Sequence, residues 1–373
     1  MQLAGLKSSP LCTWGSFRGV RCHPPLSKNA RGTVQCMLRG KWSFDESLSL
    51  PYEHGKRGCS IDPRQRCRST SGDATLRYPW QWRWQPYGSE LTPLSAEHFA
   101  RFSLQHPMTF IGDSLMRNEY QSLLCLLGEQ PHNVSYAKSS YLVDAAHLHQ
   151  TPPPPNASKP TRSHAERVFI DRADQLVRLL RALGACSAGG DRVPVPVVVL
   201  GTGHWYAHEG VVCTSGKHQT HDCTDATTLE QALRTVRRAL ERAACNATFV
   251  YRSFSPRHFA GGDWKSGGQC RHGINVSELE VPTPPPEFTS TRNALSAAHR
   301  AWRGNRLRAF SLLDITTMSL PREDAHPGRL ATSSAGRYDC SHWCLPGLPD
   351  VWNHLLAATL GIEGLLHPLP SNG

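Results

Sequence analysis

At 373 residues the chain is long enough to bury a large core, as one α/β domain with an appendage or as two modest domains. A net charge of +11 favours an anionic partner: nucleic acid, a membrane surface or an acidic polysaccharide. The basic residues are scattered, with no Lys/Arg run beyond pairs and no zinc-finger or RNA-binding signature, which argues against nucleic acid. No stretch of ~20 apolar residues supplies a membrane-spanning helix.

In chain order, residues 1–35 are rich in Pro, Ser, Gly and Arg without periodicity and read as disordered or poorly packed. The opening stretch also lacks the apolar core of a signal peptide. Residues 36–104 read as a small cysteine-bearing module with short strands. Within it Trp80, Trp82 and Trp84 alternate with polar residues, so in a strand they share one face. Such a face can stack on sugar rings, although a tryptophan stripe is more often the core of a module.

The main domain is expected over 105–362, with 363–373 as a tail. Short apolar runs predict strands at Met108 to Ile111, Val195 to Leu200, Thr248 to Ser253 and Ala309 to Leu313, each buried on both faces. Helical periods lie between or after them at Leu115 to Leu127, Ala165 to Leu183, Leu229 to Ala244 and Pro349 to Leu360. Alternation of this kind predicts a parallel sheet with helices on both sides, whose reactive groups gather at the carboxyl ends of the strands. Two proline-rich stretches, Pro152 to Pro155 and Pro282 to Pro286, read as solvent loops or insertions.

Two segments carry chemistry. In TFIGDSLMRN, Thr109 to Asn118, an apolar strand breaks at Gly-Asp-Ser and runs into a helix. In DCSHWCLPGLPDVWN, Asp339 to Asn353, an Asp and a His stand three residues apart, the His flanked by Cys340 and Cys344. A serine hydroxyl is a weak nucleophile until an imidazole takes its proton, and the imidazole works best when a carboxylate fixes its tautomer. Ser114, His342 and Asp339 fit those roles. Separately they have plainer readings, Ser114 as a helix N-cap, His342 as a core histidine and Asp339 as a turn cap; as a set they point to acyl chemistry.

Thirteen cysteines are many for a reducing compartment. None forms a CxxC pair, and the alternation of Cys340, His342 and Cys344 suits bridges around a catalytic loop better than zinc. Four sequons, at Asn133, Asn156, Asn246 and Asn275, also indicate a lumenal or secreted protein. An odd cysteine total leaves at least one thiol unpaired in a monomer; a local Cys213–Cys223 bridge is plausible.

These motifs, in order with CMLRGKW, CSIDPRQRC, YPWQWRWQP, GTGHWY, YRSFSPRHFAGGDWKSGGQC and LLDITTMSLPREDAHPG, resemble the trichome birefringence-like, or PC-esterase, family of polysaccharide O-acetyltransferases, relatives of the GDSL/SGNH esterases. The resemblance covers most of Cys36 to Leu360. It implies a three-layer α/β/α, SGNH-like (Rossmann-like) parallel sheet with a small N-terminal module linked by disulfides. It pairs Cys59 with Cys125, Cys67 with Cys344 and Cys270 with Cys340. Family members usually carry a cysteine after the WRWQP segment, where this chain has Gly88-Ser89, so Cys36 loses that partner and is left to Cys12, Cys22 or the free state.

By the same resemblance Ser114 becomes transiently acetylated and passes the acetyl group to a hydroxyl of a cell-wall polysaccharide of xylan, mannan or pectin type. A uronic-acid-bearing glycan would suit the basic charge. No cofactor is bound, but an acetyl donor is required, acetyl-CoA or an acetylated carrier, with a membrane acetyl-donor protein as a further partner. Esterases of this kind add an Asn donor to the oxyanion hole; the family reads Asn-Thr-Gly-His-Trp where this chain reads Gly201-Thr202-Gly203-His204-Trp205. Backbone N–H groups, that of Ser114 among them, or the Asn118 side chain are then the candidate substitutes. Arg117 is expected to pair with a carboxylate or orient the acceptor, and His204 and Trp205 to line the pocket; Asp324 and His326 are expected to be structural. Golgi lumen or membrane is the implied location, by an N-terminal anchor in a longer chain or by another route. Two alternatives stay open: an acetyl-polysaccharide esterase using the same residues, and a non-catalytic glycan-binding or scaffold protein.

Overall fold

The computed structural model describes residues 37–53, 55, 58–67, 78–87, 91–140, 142, 173–182, 186, 195–204, 206, 212–213, 226–227, 229–243, 245, 247–264, 266–270, 278–281, 309–329 and 337–362. The proline-rich stretches, Trp205, Cys36, Cys223 and the sequon residues Asn156, Asn246 and Asn275 lie outside them.

Strands β1 (Gly40–Phe44) and β2 (Trp82–Pro86) open the described chain. They are followed by α1 (Ala96–Gln105), β3 (Met108–Gly112), α2 (Ser114–Leu127), β4 (Val134–Lys138), α3 (Ala173–Ala182), β5 (Val197–Gly201), α4 (Leu229–Arg242) and β6 (Thr248–Arg252). Short strand β7 (Glu278–Leu279), then β8 (Ala309–Leu313), β9 (Gly328–Arg329), β10 (Tyr338–Asp339) and α5 (Leu348–Leu360) complete the set used below.

Five strands form the central sheet in the order β8-β6-β5-β3-β4, every pair parallel. Alternate strand residues feed two cores, as the pleat requires. Met108, Phe110, Val197, Val199, Val250 and Leu313 join side chains of α1, α2 and α5 on one face. Ile111, Val198, Leu200, Phe249 and Tyr251 join those of α3 and α4 on the other. Three layers result, in agreement with the α/β expectation.

Numbered from β3 along the chain, the sheet runs 2-1-3-4-5, so the strand order reverses between β3 and β5. That crevice, outside the carboxyl ends of the two strands, is where open α/β sheets bind ligands. Gly112 and Gly201 face each other across it, and a Cβ on Gly112 would sit 2.0 Å from the Gly201 carbonyl oxygen. Close approach of two strand ends therefore demands a glycine at 112.

Two elements escape the sequence pattern. β4 is an edge strand whose residues after Val134 are only half-buried, which weakens its apolar signal. α1 occupies a stretch expected to hold only short strands; Ser95 caps it by accepting from His98 N–H.

The N-terminal residues build a three-stranded sheet, β2-β1-β7. Trp82 and Trp84 are 3% and 4% exposed. Trp84 packs on Trp42 at 5.2 Å between ring centroids and donates its indole N–H to the Met37 carbonyl. The Arg322 guanidinium lies over both the Trp42 and Trp82 rings. The expected glycan face is thus corrected for these two residues: they are the core of the small sheet. Trp80 belongs to a short 3-10 turn instead, half-buried and stacked on Tyr78.

Cys59–Cys125, Cys67–Cys344 and Cys270–Cys340 are bridged. A further bridge, Cys186–Cys245, was not foreseen; nothing in the spacing marks it. No helix among the described residues is long and apolar enough to cross a membrane.

Candidate active site

The site grows from the end of β3. After Gly112 the chain turns through Asp113, whose Oδ1 accepts from the N–H groups of Leu115 and Met116 and so caps α2. Ser114 is the first residue of that helix and is half-buried. With the cap taking the next two amides, the Ser114 N–H is the helix-start donor left over by the cap, at the positive end of the helix dipole. Tyr136 O–H, from β4, donates to the carbonyls of Gly112 and Asp113 and fixes the turn from the other side.

Opposite stands the loop that follows β10. His342 Nδ1 lies 2.8 Å from Asp339 Oδ2, while Asp339 Oδ1 accepts from the N–H groups of His342 and Ser341. The three-residue spacing therefore closes a turn on itself. Burial pushes the Asp339 carboxyl up, but the hydrogen bond and charge of His342 and the two backbone donors outweigh it and hold the group well below the usual carboxylate range. Asp339 is thus an ionised partner that keeps hydrogen on Nδ1 of His342.

Helix α2 and this loop are fastened together. Asn118, one turn beyond Ser114 and fully buried, accepts from Trp343 N–H at 2.8 Å and donates to the Trp343 carbonyl and to Gln65 Oε1. Leu345 N–H donates to the Gln65 carbonyl, and the Cys67–Cys344 bridge joins the Gln65 segment to the same loop. Asp113 lies close enough for the His342 charge to act on its carboxyl. The Asn118–Trp343 contacts thus tie the loop carrying Asp339 and His342 to the helix that begins with Ser114.

The remaining expected residues separate. Asn118 has its carbonyl and amide committed to structural bonds and offers no hydrogen to an oxyanion, which corrects its expected role as a substitute donor. Gly201 ends β5 beside the nucleophile turn; a Cβ there would meet the Met116 Cε at 2.1 Å and the Arg252 Nη2 at 3.1 Å. Space for a side chain is therefore filled by Met116 and Arg252. Arg117 is partly exposed, 3.8 Å from Asp62, which is paired more closely with Arg64. His204, half-buried, follows β5.

Two features went unread in the sequence. Arg252, at the end of β6, is buried and lies 2.9 Å from Glu119 of α2, its guanidinium over the Trp352 ring. This cation also lowers the otherwise burial-raised Asp113 carboxyl. His326, expected to be structural, reaches the backbone of His342 itself: its Nδ1 is 2.6 Å from the His342 carbonyl oxygen.

Comparison with known proteins shows the family. The PC-Esterase family, described as GDSL/SGNH-like acyl-esterases found in Pmr5 and Cas1p, matches residues 91–177 and 188–359. The chain belongs to the PC-esterase family. Ser114, Asp339 and His342 all fall within the matched PC-esterase segments.

Similar members include Protein trichome birefringence-like 6 of Arabidopsis thaliana, 28% identical over 88% of this chain and 71% of its own length. Xyloglucan O-acetyltransferase 4 of Populus trichocarpa is 30% identical over 87% and 80%. Xylan O-acetyltransferase 14 of Oryza sativa subsp. japonica is 26% identical over 89% and 78%. A crystal structure of a Lactobacillus plantarum protein overlaps 69% of this PC-esterase and 97% of its own chain at a TM-score of 0.33 and 13% identity, too distant to bear on function.

Proposed function

We propose that this PC-esterase is a polysaccharide O-acetyltransferase that works through an acetyl-serine at Ser114. The observation that carries the reading is the 2.8 Å contact of Asp339 with His342, on a loop clasped to the helix that begins with Ser114. Relatives named for xylan and xyloglucan O-acetylation supply the substrate class.

In the first half-reaction His342 Nε2 takes the Ser114 hydroxyl proton as Oγ attacks the acetyl carbonyl carbon of the donor. The Ser114 N–H, at the start of α2, stabilises the oxyanion. Collapse expels the donor's leaving group, which takes the proton from His342. In the second half a sugar hydroxyl gives its proton to His342 and attacks the acetyl carbonyl, and Ser114 departs protonated. Asp339 stays ionised throughout and stabilises the imidazolium in both halves. The donor is acetyl-CoA or an acetylated carrier.

Water in place of the sugar hydroxyl would make the same residues an esterase. The test is incubation of the secreted protein with acetyl-CoA, or with a synthetic acetyl ester, and deacetylated xylan or xyloglucan. Acetyl esters appearing on the polysaccharide support transfer; release of free acetate alone, with no acetylated polymer, contradicts it.

A further inference from the structure

Behind the Asp339–His342 turn two more histidines stand in contact. His326 Nδ1 lies 2.6 Å from the His342 carbonyl oxygen. Its Nε2 is 2.7 Å from Nδ1 of His258, and His258 Nε2 is 2.9 Å from the Leu320 carbonyl oxygen. His326 is 1% exposed.

Hydrogen counting decides what this row can be. Carbonyl oxygens only accept, so both outer ring nitrogens carry hydrogen, and a neutral imidazole has a single N–H to give. With both spent on carbonyls, the inner nitrogens would face each other as two lone pairs at 2.7 Å, a hydrogen-bond distance without a hydrogen. One extra proton between the rings removes the conflict. We propose that His258 and His326 hold one shared proton, three hydrogens over four ring nitrogens, and that this charged pair positions the backbone of His342. The second half of that statement rests on His342 being the base of the proposed reaction.

The surroundings accept one such charge and refuse two. Asp324 faces His258, and Asp339 faces His326; both carboxylates favour a cation there. Asp324 is itself held by the buried Arg322 through two contacts, and the Trp343 ring stacks on His326 at 4.0 Å. Against a charge stand burial, which is the largest influence and pushes both imidazoles down, and the repulsion of His326 by His258 and His342. Burial and repulsion bar a second proton. The first stays because losing it forces either the lone-pair contact or the release of one carbonyl anchor. Raising the pH past the pair's joint titration therefore removes the charge behind His342 and frees one of the two carbonyls, that of Leu320 or that of His342.

The experiment is an imidazole nitrogen titration of the full secreted chain labelled with 15N-histidine, from pH 5 to 9. Assignment comes from His258→Asn and His326→Asn, and in the parent protein from the contact of the His326 ring with the Trp343 indole. At neutral pH three of the four ring nitrogens of the pair should be protonated, falling to two in a single step as the pH rises, with the His342 nitrogens moving in the same step. In His258→Asn the amide can donate to His326 Nε2 without a charge, so the His342 signals should lose that step. Two protonated nitrogens at neutral pH in the folded parent, or a His342 step that survives His258→Asn, would overturn the proposal. These signals are read without any acetyl donor, so they stand apart from the success or failure of the transferase assay.

Discussion

Asn118 grips both backbone polar groups of Trp343, taking its N–H at 2.8 Å and giving a hydrogen to its carbonyl at 3.3 Å. Because Asn118 lies one turn after Ser114 and Trp343 directly follows His342, this clasp sets the spacing between Ser114 and His342. Asn118→Ala leaves a buried N–H without its partner and should cost about 1–3 kcal/mol of stability. A displacement of an ångström between Ser114 and His342 would further lower kcat on the order of 10²-fold. Thermal melts and single-turnover kinetics check this: an oxyanion donor at 118 would instead lower kcat and leave the melting temperature alone.

Asp339→Asn keeps the size of the side chain but removes the charge that fixes His342. By analogy with triads in which the orienting carboxylate is replaced, kcat should fall ~10⁴-fold with KM little changed. Steady-state kinetics on an acetyl ester tests it; a loss under tenfold would remove Asp339 from the proposed machinery.

Gly201 stands where the family resemblance places an asparagine, yet Gly201→Asn should not restore a donor. The new Cβ would fall 2.1 Å from the Met116 methyl and beside the Arg252 guanidinium. Met116 ends in a flexible methyl that can turn away, but the Arg252 guanidinium, 3.1 Å from the new Cβ, is held by Glu119, and crowding it costs about 1–3 kcal/mol. A lower Tm without a gain in turnover is the expected result, and a faster enzyme of unchanged Tm would show that the pocket has room.

Stability should decline from about pH 6.5 to pH 8. Burial raises the Glu119 carboxyl to about 7, against the lowering by Arg252, and raises Asp350 to about 6, against the donors Ser122, Tyr52 and Gly347. Between their ordinary unfolded values near 4 and these folded values, the native state binds more protons than the unfolded one, so unfolding free energy falls as pH rises. Their contribution is complete below about pH 4 and lost as pH passes through 6 and 7. Asp339, lowered in the fold, acts oppositely, stabilising above its unfolded value and weakening the fold only in strong acid. Below about pH 6.5 the buried His354, lowered to about 4, acts oppositely, because the unfolded state then binds the proton that the fold refuses. Urea melts between about pH 6.5 and 8 measure the carboxyl slope, and a stability that climbs across that range would contradict the assignment.

Much of this arrangement is legible in the residues. Three strands of the sheet, β3, β5 and β6, announce themselves because burial on both faces makes them continuous apolar runs, as in Val197–Gly201; Ala309–Leu313 reads as a strand although it lies at the sheet edge. The Asp339–His342 pair is legible because its contact is closed within one turn. What the chain conceals is long-range or two-sided. An edge strand such as Val134–Lys138 has one weakly buried face, Trp82 and Trp84 alternate identically whether they face a sugar or a core, and the Arg252–Glu119 and His258–His326 contacts join residues more than sixty apart. Asn118 looks like a donor beside a serine until the fold spends both ends of its amide on Trp343 and Gln65.

Transfer through Ser114 requires that this serine carry the acetyl group between the two half-reactions. Expressed in an oxidising secretory host, incubated with an acetyl donor and analysed by intact-protein and peptide mass spectrometry, the parent protein should gain one acetyl group on Ser114. The adduct should vanish on addition of a deacetylated xylan or xyloglucan and be absent from Ser114→Ala. A folded parent that transfers acetyl to the polymer while Ser114→Ala does so equally well, with no adduct at Ser114, would contradict the account.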